Sequence, residues 1–209
     1  MKHTFRVLTL AVAVSMASVS CSDLLKIDQH GVNSIDNFYQ TDADFESAAA
    51  ALYSDLREQA SNAIMVKCAL DDDFYAGGGG RGDNSLVEQL NEFTYDAEQS
   101  NIAGYFKGLY TIIYDANIIL EKVDPAKSAV AAKVYNEAKV FRALSFFELI
   151  TLWGNVPLVD HVLSGEEYQI GNSTPELLWG LVEKDLTEAI ASGALEQKSS
   201  ASDNKTWRM

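Results

Sequence analysis

In this 209-residue chain, the side chains whose types could do chemistry concentrate between Asp71 and Tyr95. Asp71-Asp72-Asp73-Phe74-Tyr75 leads into Gly77-Gly78-Gly79-Gly80-Arg81-Gly82-Asp83-Asn84, and Phe93-Thr94-Tyr95 follows. A loop that recognises a small polar ligand needs an aromatic face to stack on and planar polar groups to hydrogen-bond. Asp73, Tyr75, Arg81, Asp83, Asn84 and Tyr95 supply that combination and are the candidate ligand-binding residues; an ordinary flexible loop is the alternative for each of them. Other chemistries fit less well. Three adjacent carboxylates lack the alternating spacing of a calcium loop, so Asp71 to Asp73 read as a solvated acid cluster at a helix end and no metal site is assigned. The glycine run lacks the terminal Lys and Ser/Thr of a phosphate loop, which argues against nucleotide. Hydrolysis of a glycosidic bond needs two carboxylates about 5.5 Å or 6.5–9.5 Å apart. Among thirty acids some pair always exists, but none stands in a recognisable catalytic setting, and His30 and His161 are isolated. The expected function is binding without catalysis or cofactor.

Composition narrows the partners. Sixteen basic against thirty acidic residues give a formal net charge of −14, so the field that draws in a phosphate backbone is absent and nucleic acid is not an expected partner. The first twenty residues read as an export signal: Lys2 and Arg6 precede the uncharged run Val7 to Val19, and Ala17-Ser18-Val19-Ser20 leads to Cys21. That run is too short for a membrane-spanning helix, which needs about 20 residues. A cysteine directly after the small residues resembles a bacterial lipoprotein signal, with Cys21 acylated and the protein held in membrane lipid; a plain secretory signal is the alternative. Ser18 stands where a large aliphatic residue is usual. Removing residues 1–20 leaves fourteen basic against thirty acidic residues, a net −16. With Cys21 acylated, Cys68 is the one free thiol, and no intramolecular disulfide forms.

The elements that must position the glycine-rich segment are helical. Residues 21–40 read as anchor and extended tether. Thr41 with Asp44 opens a first helix carrying Phe45, Ala48, Ala49, Leu52 and Leu56, expected to end near Ala60, with a shorter apolar run from Ala63 to Leu70. Ile102, Tyr105, Leu109, Ile112, Ile113, Ala116, Ile119 and Val123 keep a 3.6-residue period from about Ser100, closed by Asp124-Pro125. A further helix runs from Ser128 to Trp153, stopped by Gly154 and Pro157, and Thr174-Pro175-Glu176 opens a last one that reaches Gly193. Tyr105, Phe106, Tyr110, Tyr135, Phe146 and Phe147 stand at core spacing and are assigned to packing, and Arg142 to holding carbonyls or an acid. The fold class is all-α, a right-handed helical-repeat arrangement with irregular loops, although no strict 34-residue repeat is visible.

The stretches Gly104 to Val123, Glu137 to Val159 and Thr174 to Ile190, with Cys21-Ser22-Asp23-Leu24-Leu25 and Asn37-Phe38-Tyr39 before them, resemble the SusD/RagB family of surface glycan-binding lipoproteins. The run Phe141-Arg142-Ala143-Leu144 leading to Trp153-Gly154-Asn155-Val156-Pro157 is the most specific piece. The resemblance implies a tetratricopeptide-like scaffold at the outer face of the outer membrane. It also implies an oligosaccharide or other nutrient ligand and a partner TonB-dependent transporter of the SusC type. Family members run to several hundred residues, so the likeness covers their N-terminal part: a SusD-like helical domain over 41–195, then a polar tail over 196–209. The last helix is then expected to show an apolar face lacking its natural cover, with poor solubility or self-association of the isolated chain. The starch-binding member places two tryptophans before the first long helix. Here Phe93-Thr94-Tyr95 stands near that place, with no tryptophan between residues 22 and 152, so starch specificity is not carried over. A helical-repeat scaffold that binds the transporter and has no complete glycan site is the rival reading.

Overall fold

The computed structural model describes residues 38–196. The expected leader, Cys21, most of the tether and residues 197–209 of the tail lie outside them. Among the described residues the regular structure is five α-helices and one 3-10 helix, with no strand: α1 (Asp42–Ala69), α2 (Ser85–Asn91), α3 (Ser100–Lys122), α4 (Ala129–Trp153), the 3-10 helix Gly165–Gln169, and α5 (Pro175–Ala191). No helix among the described residues is long and apolar enough to cross a membrane.

The helix starts follow from local capping chemistry. Thr41 Oγ1 accepts from the Asp44 amide at 3.3 Å while Asp44 Oδ2 accepts from the Thr41 amide at 2.7 Å, a closed capping box. Ser128 caps α4 through the Ala131 amide at 3.0 Å. Thr174 precedes Pro175 as expected but makes no side-chain cap bond; proline's fixed φ and Glu176 in the first turn mark that start. Gly154 ends α4 at φ +72°, a conformation that would strain any side chain.

Side-chain contacts give the packing order. Asn101 on early α3 bonds Asn62 on late α1, so these helices run antiparallel. Lys139 pairs with Glu188 at 2.8 Å, and Phe147 meets Trp179, so α4 and α5 are antiparallel too. Ser128 bonds Asp42 at 2.5 Å and Lys67 pairs with Glu148 at 2.6 Å, placing α1 parallel to α4. The main core lies between α1, α3, α4 and α5 and contains Val66, Leu109, Ile113, Phe146, Leu149 and Leu178.

Two expectations need correction. The first helix does not end near Ala60; it continues to Ala69. No glycine or proline interrupts residues 61–69, Val66 and Ala69 keep facing the core, and Asn62 is held by Gln59 and Asn101. Phe147 is 44% exposed, because α4 is apolar around most of its circumference and this ring lies on the outer side, edge-on to Trp179. Of the other aromatics assigned to packing, Tyr105 and Phe146 are buried and Phe106, Tyr110 and Tyr135 half-buried. On α5, Leu177, Leu186 and Ile190 are exposed, Ile190 at 79%.

After α4 the chain runs as an irregular arm over residues 155–164, whose carbonyls no helix can satisfy. Side chains of α3 and α4 do so instead. Tyr110 donates to the Pro157 carbonyl at 2.7 Å, Asn117 Nδ2 to those of Val159 and His161 at 3.1 and 3.0 Å, and Arg142 Nη1 to that of Asp160 at 2.7 Å. Arg142 also forms a fork with Asp185 of α5, Nε to Oδ2 at 2.7 Å and Nη2 to Oδ1 at 2.8 Å, and its Nη1 reaches Asn117 Oδ1 at 2.8 Å. This is the holding role expected of Arg142. His161, isolated in the sequence, stands between Asp160 at 2.8 Å and Glu167 at 3.3 Å, and hydrogen bonds to these two carboxylates raise its pKa.

Asp55 of α1 and Asp115 of α3 meet across their interface. Burial, then the hydrogen bond to Asp55 and its charge, push Asp115 from 3.8 up to about 7, so the pair retains a proton at mild acidity. A carboxyl raised in the folded state costs nothing below its unfolded pKa and destabilises increasingly as pH climbs towards the folded value. Asp115→Asn, which keeps a donor for Asp55, should therefore stabilise the fold by about 1–2 kcal/mol at pH 8 once solvent screening is allowed for, and by almost nothing at pH 4. Urea midpoints measured across that range check this; a gain that is flat with pH would contradict it.

Candidate functional site

The segment between α1 and α3 is not one loop. Asn84 Oδ1 accepts from the Val87 amide at 3.3 Å and starts α2, whose Val87 and Leu90 are buried against Ala69 of α1. This short helix went unread because seven residues with three apolar side chains, Leu86, Val87 and Leu90, span too few turns to establish a period. It gives the glycine run a rigid backing. Glu88 Oε1 accepts from the Gly82 amide at 2.7 Å, and Asn91 Nδ2 donates to the Phe74 carbonyl at 2.6 Å. Asp83 Oδ2 accepts from the Gly79 amide at 2.5 Å, an approach only glycine allows at Gly78, where an added Cβ would lie 2.5 Å from the same oxygen.

These contacts leave a pocket of about 140 Å³, lined by Tyr75, the backbone of Gly77, Gly78 and Gly80, Arg81, Glu88, Asn91 and Glu92. Arg81 Nη2 lies 2.8 and 3.0 Å from the two Glu92 oxygens at its mouth. Tyr75 is 84% exposed. Of the sequence-derived candidates, Tyr75 and Arg81 line the pocket, Asp83 shapes the glycine turn, and Asn84 serves as a helix cap. Asp73 and Tyr95 are exposed but do not line it, and Asp71 to Asp73 form a solvent-facing cluster just past the end of α1. Glu88, Asn91 and Glu92 were not singled out; with α2 recognised, their i, i+3, i+4 spacing places them on one face.

Phe93, just after α2, was not singled out either. It is the one non-glycine residue among those described with positive φ, at +54°, and it is 59% exposed. The cause is the end of α2: the Thr94 amide bonds back to the Gln89 carbonyl at 3.0 Å, a Schellman closure whose left-handed position glycine normally fills. Holding a phenylalanine there costs about 1 kcal/mol, and its ring faces solvent.

A polar pocket with glycine backbone in its wall, bordered by carboxylates and an exposed tyrosine and followed by two further exposed aromatics, can accept a sugar ring by stacking and hydroxyl hydrogen bonds. Comparison with known proteins bears on the same point. SusD-like protein P25 of Formosa agariphila is 28% identical over 186 residues, covering 81% of this chain and 34% of that protein. A solved laminarin-binding SusD-like protein superposes with a TM-score of 0.64 at 27% identity, over 72% of this chain and 34% of the other. A structure solved with a xylogluco-oligosaccharide gives 0.58 at 22% identity, over 74% and 30%. The SusD-like structures share the tetratricopeptide-like helical fold, as expected, and the chain spans about a third of the length of these relatives. The model of the SusD-like family described as starch-binding and associating with the outer membrane matches residues 32–203, and the chain belongs to that family.

Proposed function

We propose that this protein captures an oligosaccharide or polysaccharide on the surface formed by Tyr75, the glycine-rich turn, α2 and the Phe93–Tyr95 segment, and passes it to a TonB-dependent transporter of the SusC type without altering it. Acylation of Cys21 holds it in the outer membrane, facing the cell exterior. The observation that carries this reading is a small polar pocket lined by the exposed Tyr75, with the exposed Phe93 and Tyr95 in the segment just after α2, in a family described as starch-binding and associating with the outer membrane.

Affinity electrophoresis of the purified chain against laminarin, xyloglucan and soluble starch tests it. At least one polysaccharide should retard the protein, and Tyr75→Ala and Phe93→Gly should each weaken binding about tenfold, the order expected for loss of one stacking ring. The far-UV circular dichroism of both variants should be unchanged. Retardation by none of the three, with co-purification of a transporter, would replace this reading by a helical-repeat interaction scaffold. Shortening of a bound glycan would overturn the non-catalytic part.

A further inference from the structure

The charge around the pocket restricts what it can accept. Residues 71–98 carry eight carboxylates, Asp71, Asp72, Asp73, Asp83, Glu88, Glu92, Asp96 and Glu98, against one cation, Arg81. That cation is already engaged by Glu92. The basic residue in the last turn of α1, Lys67, is committed to Glu148 at 2.6 Å. Neither of these two cations is therefore left unpaired to receive a negatively charged ligand group.

Hydrogen-bond chemistry points the same way. The carboxylates of Glu88 and Glu92 on the pocket wall present acceptor oxygens, so a ligand group that meets them there must bring O–H or N–H donors. A neutral pyranose supplies hydroxyl donors to them. The carboxylate of a uronate or the sulfate group of a sulfated sugar adds only acceptors, and a charge held in the pocket lies within a Debye length, about 8 Å, of Glu88 and Glu92 on its wall.

Resting on the glycan reading above, we infer that this site selects uncharged glycans and rejects uronate-bearing or sulfated ones, with the carboxylates of residues 71–98 as the specificity determinants. The full chain is run in affinity electrophoresis against laminarin, xyloglucan and soluble starch, and against the sulfated derivative of each. At about 20 mM salt the sulfated form should bind at least about tenfold more weakly than its parent, and the gap should narrow at about 300 mM as screening sets in. A quadruple variant at solvent-facing positions outside the pocket, Asp71→Asn, Asp72→Asn, Asp96→Asn and Glu98→Gln, should narrow the gap at low salt without changing affinity for the neutral parent. Equal or tighter binding of a sulfated form, or a gap indifferent to both salt and the variant, overturns the charge inference while leaving glycan binding standing. Retardation by none of the six polymers removes both.

Discussion

Asp185→Ala is expected to lower the stability of the fold by about 3–5 kcal/mol, the cost of leaving one member of a buried ion pair without its partner. Asp185 is 1% exposed, and its two oxygens accept the fork of Arg142, which is itself buried. The alanine variant would strand a guanidinium whose remaining bonds go to Asn117 Oδ1 and the Asp160 carbonyl. Urea unfolding followed by circular dichroism would show the midpoint shift. Replacing both partners together, Arg142→Met with Asp185→Leu, should cost far less than the single change, because no charge is then left buried, although the Asp160 carbonyl loses its donor. A loss below about 1 kcal/mol for Asp185→Ala alone would mean that water replaces the carboxylate and that the pair is not sealed.

Phe146→Ala is the second large effect, again about 3–5 kcal/mol. The ring is fully buried in the cluster formed with Leu109, Ile113, Leu149 and Leu178, so truncation leaves a cavity between three helices as well as losing apolar burial. It also removes the edge contact to Tyr110 at 6.5 Å, and Tyr110 is the donor that holds the Pro157 carbonyl. The adjacent Phe147→Ala provides the control. That ring is 44% exposed and touches Trp179 edge-on, so its removal should cost about 1 kcal/mol. Denaturant midpoints should fall in that order with an unchanged slope, and equal losses for the two neighbours would contradict the burial pattern.

What could be read from the residues divides along the range of the interactions. Helix starts at Thr41, Ser128 and Thr174-Pro175 are set by groups within four positions, and a reader of the chain sees those groups. The absence of glycine and proline from residues 61–69 is a local signal, but the meeting of Asn62 with Asn101, 39 residues away, which helps hold α1 past Ala60, is not. Arg142 could be given its kind of role but not its partner, since Asp185 lies 43 positions on. The exposure of Phe147 was illegible because a helix apolar on most sides does not say which side a neighbour covers.

At the site, composition pointed to Tyr75 and Arg81, which do line the pocket, and could not point to Phe93, because the twist that turns its ring outward arises only when α2 closes. The acid at Glu92 is similar. It is one of thirty in the chain, and its place beside Arg81 follows from α2 folding back along the glycine run.

The left-handed phenylalanine has an implication for how this position changes over generations. Selection for thermal robustness alone would install glycine at residue 93, where the backbone already asks for it and the gain is about 1 kcal/mol. On the proposed glycan-binding role, selection on the ring opposes that drift. Position 93 is thus a place where tolerance of heat and grip on a ligand pull against one another, and a lineage that abandoned its ligand would be free to relax to glycine.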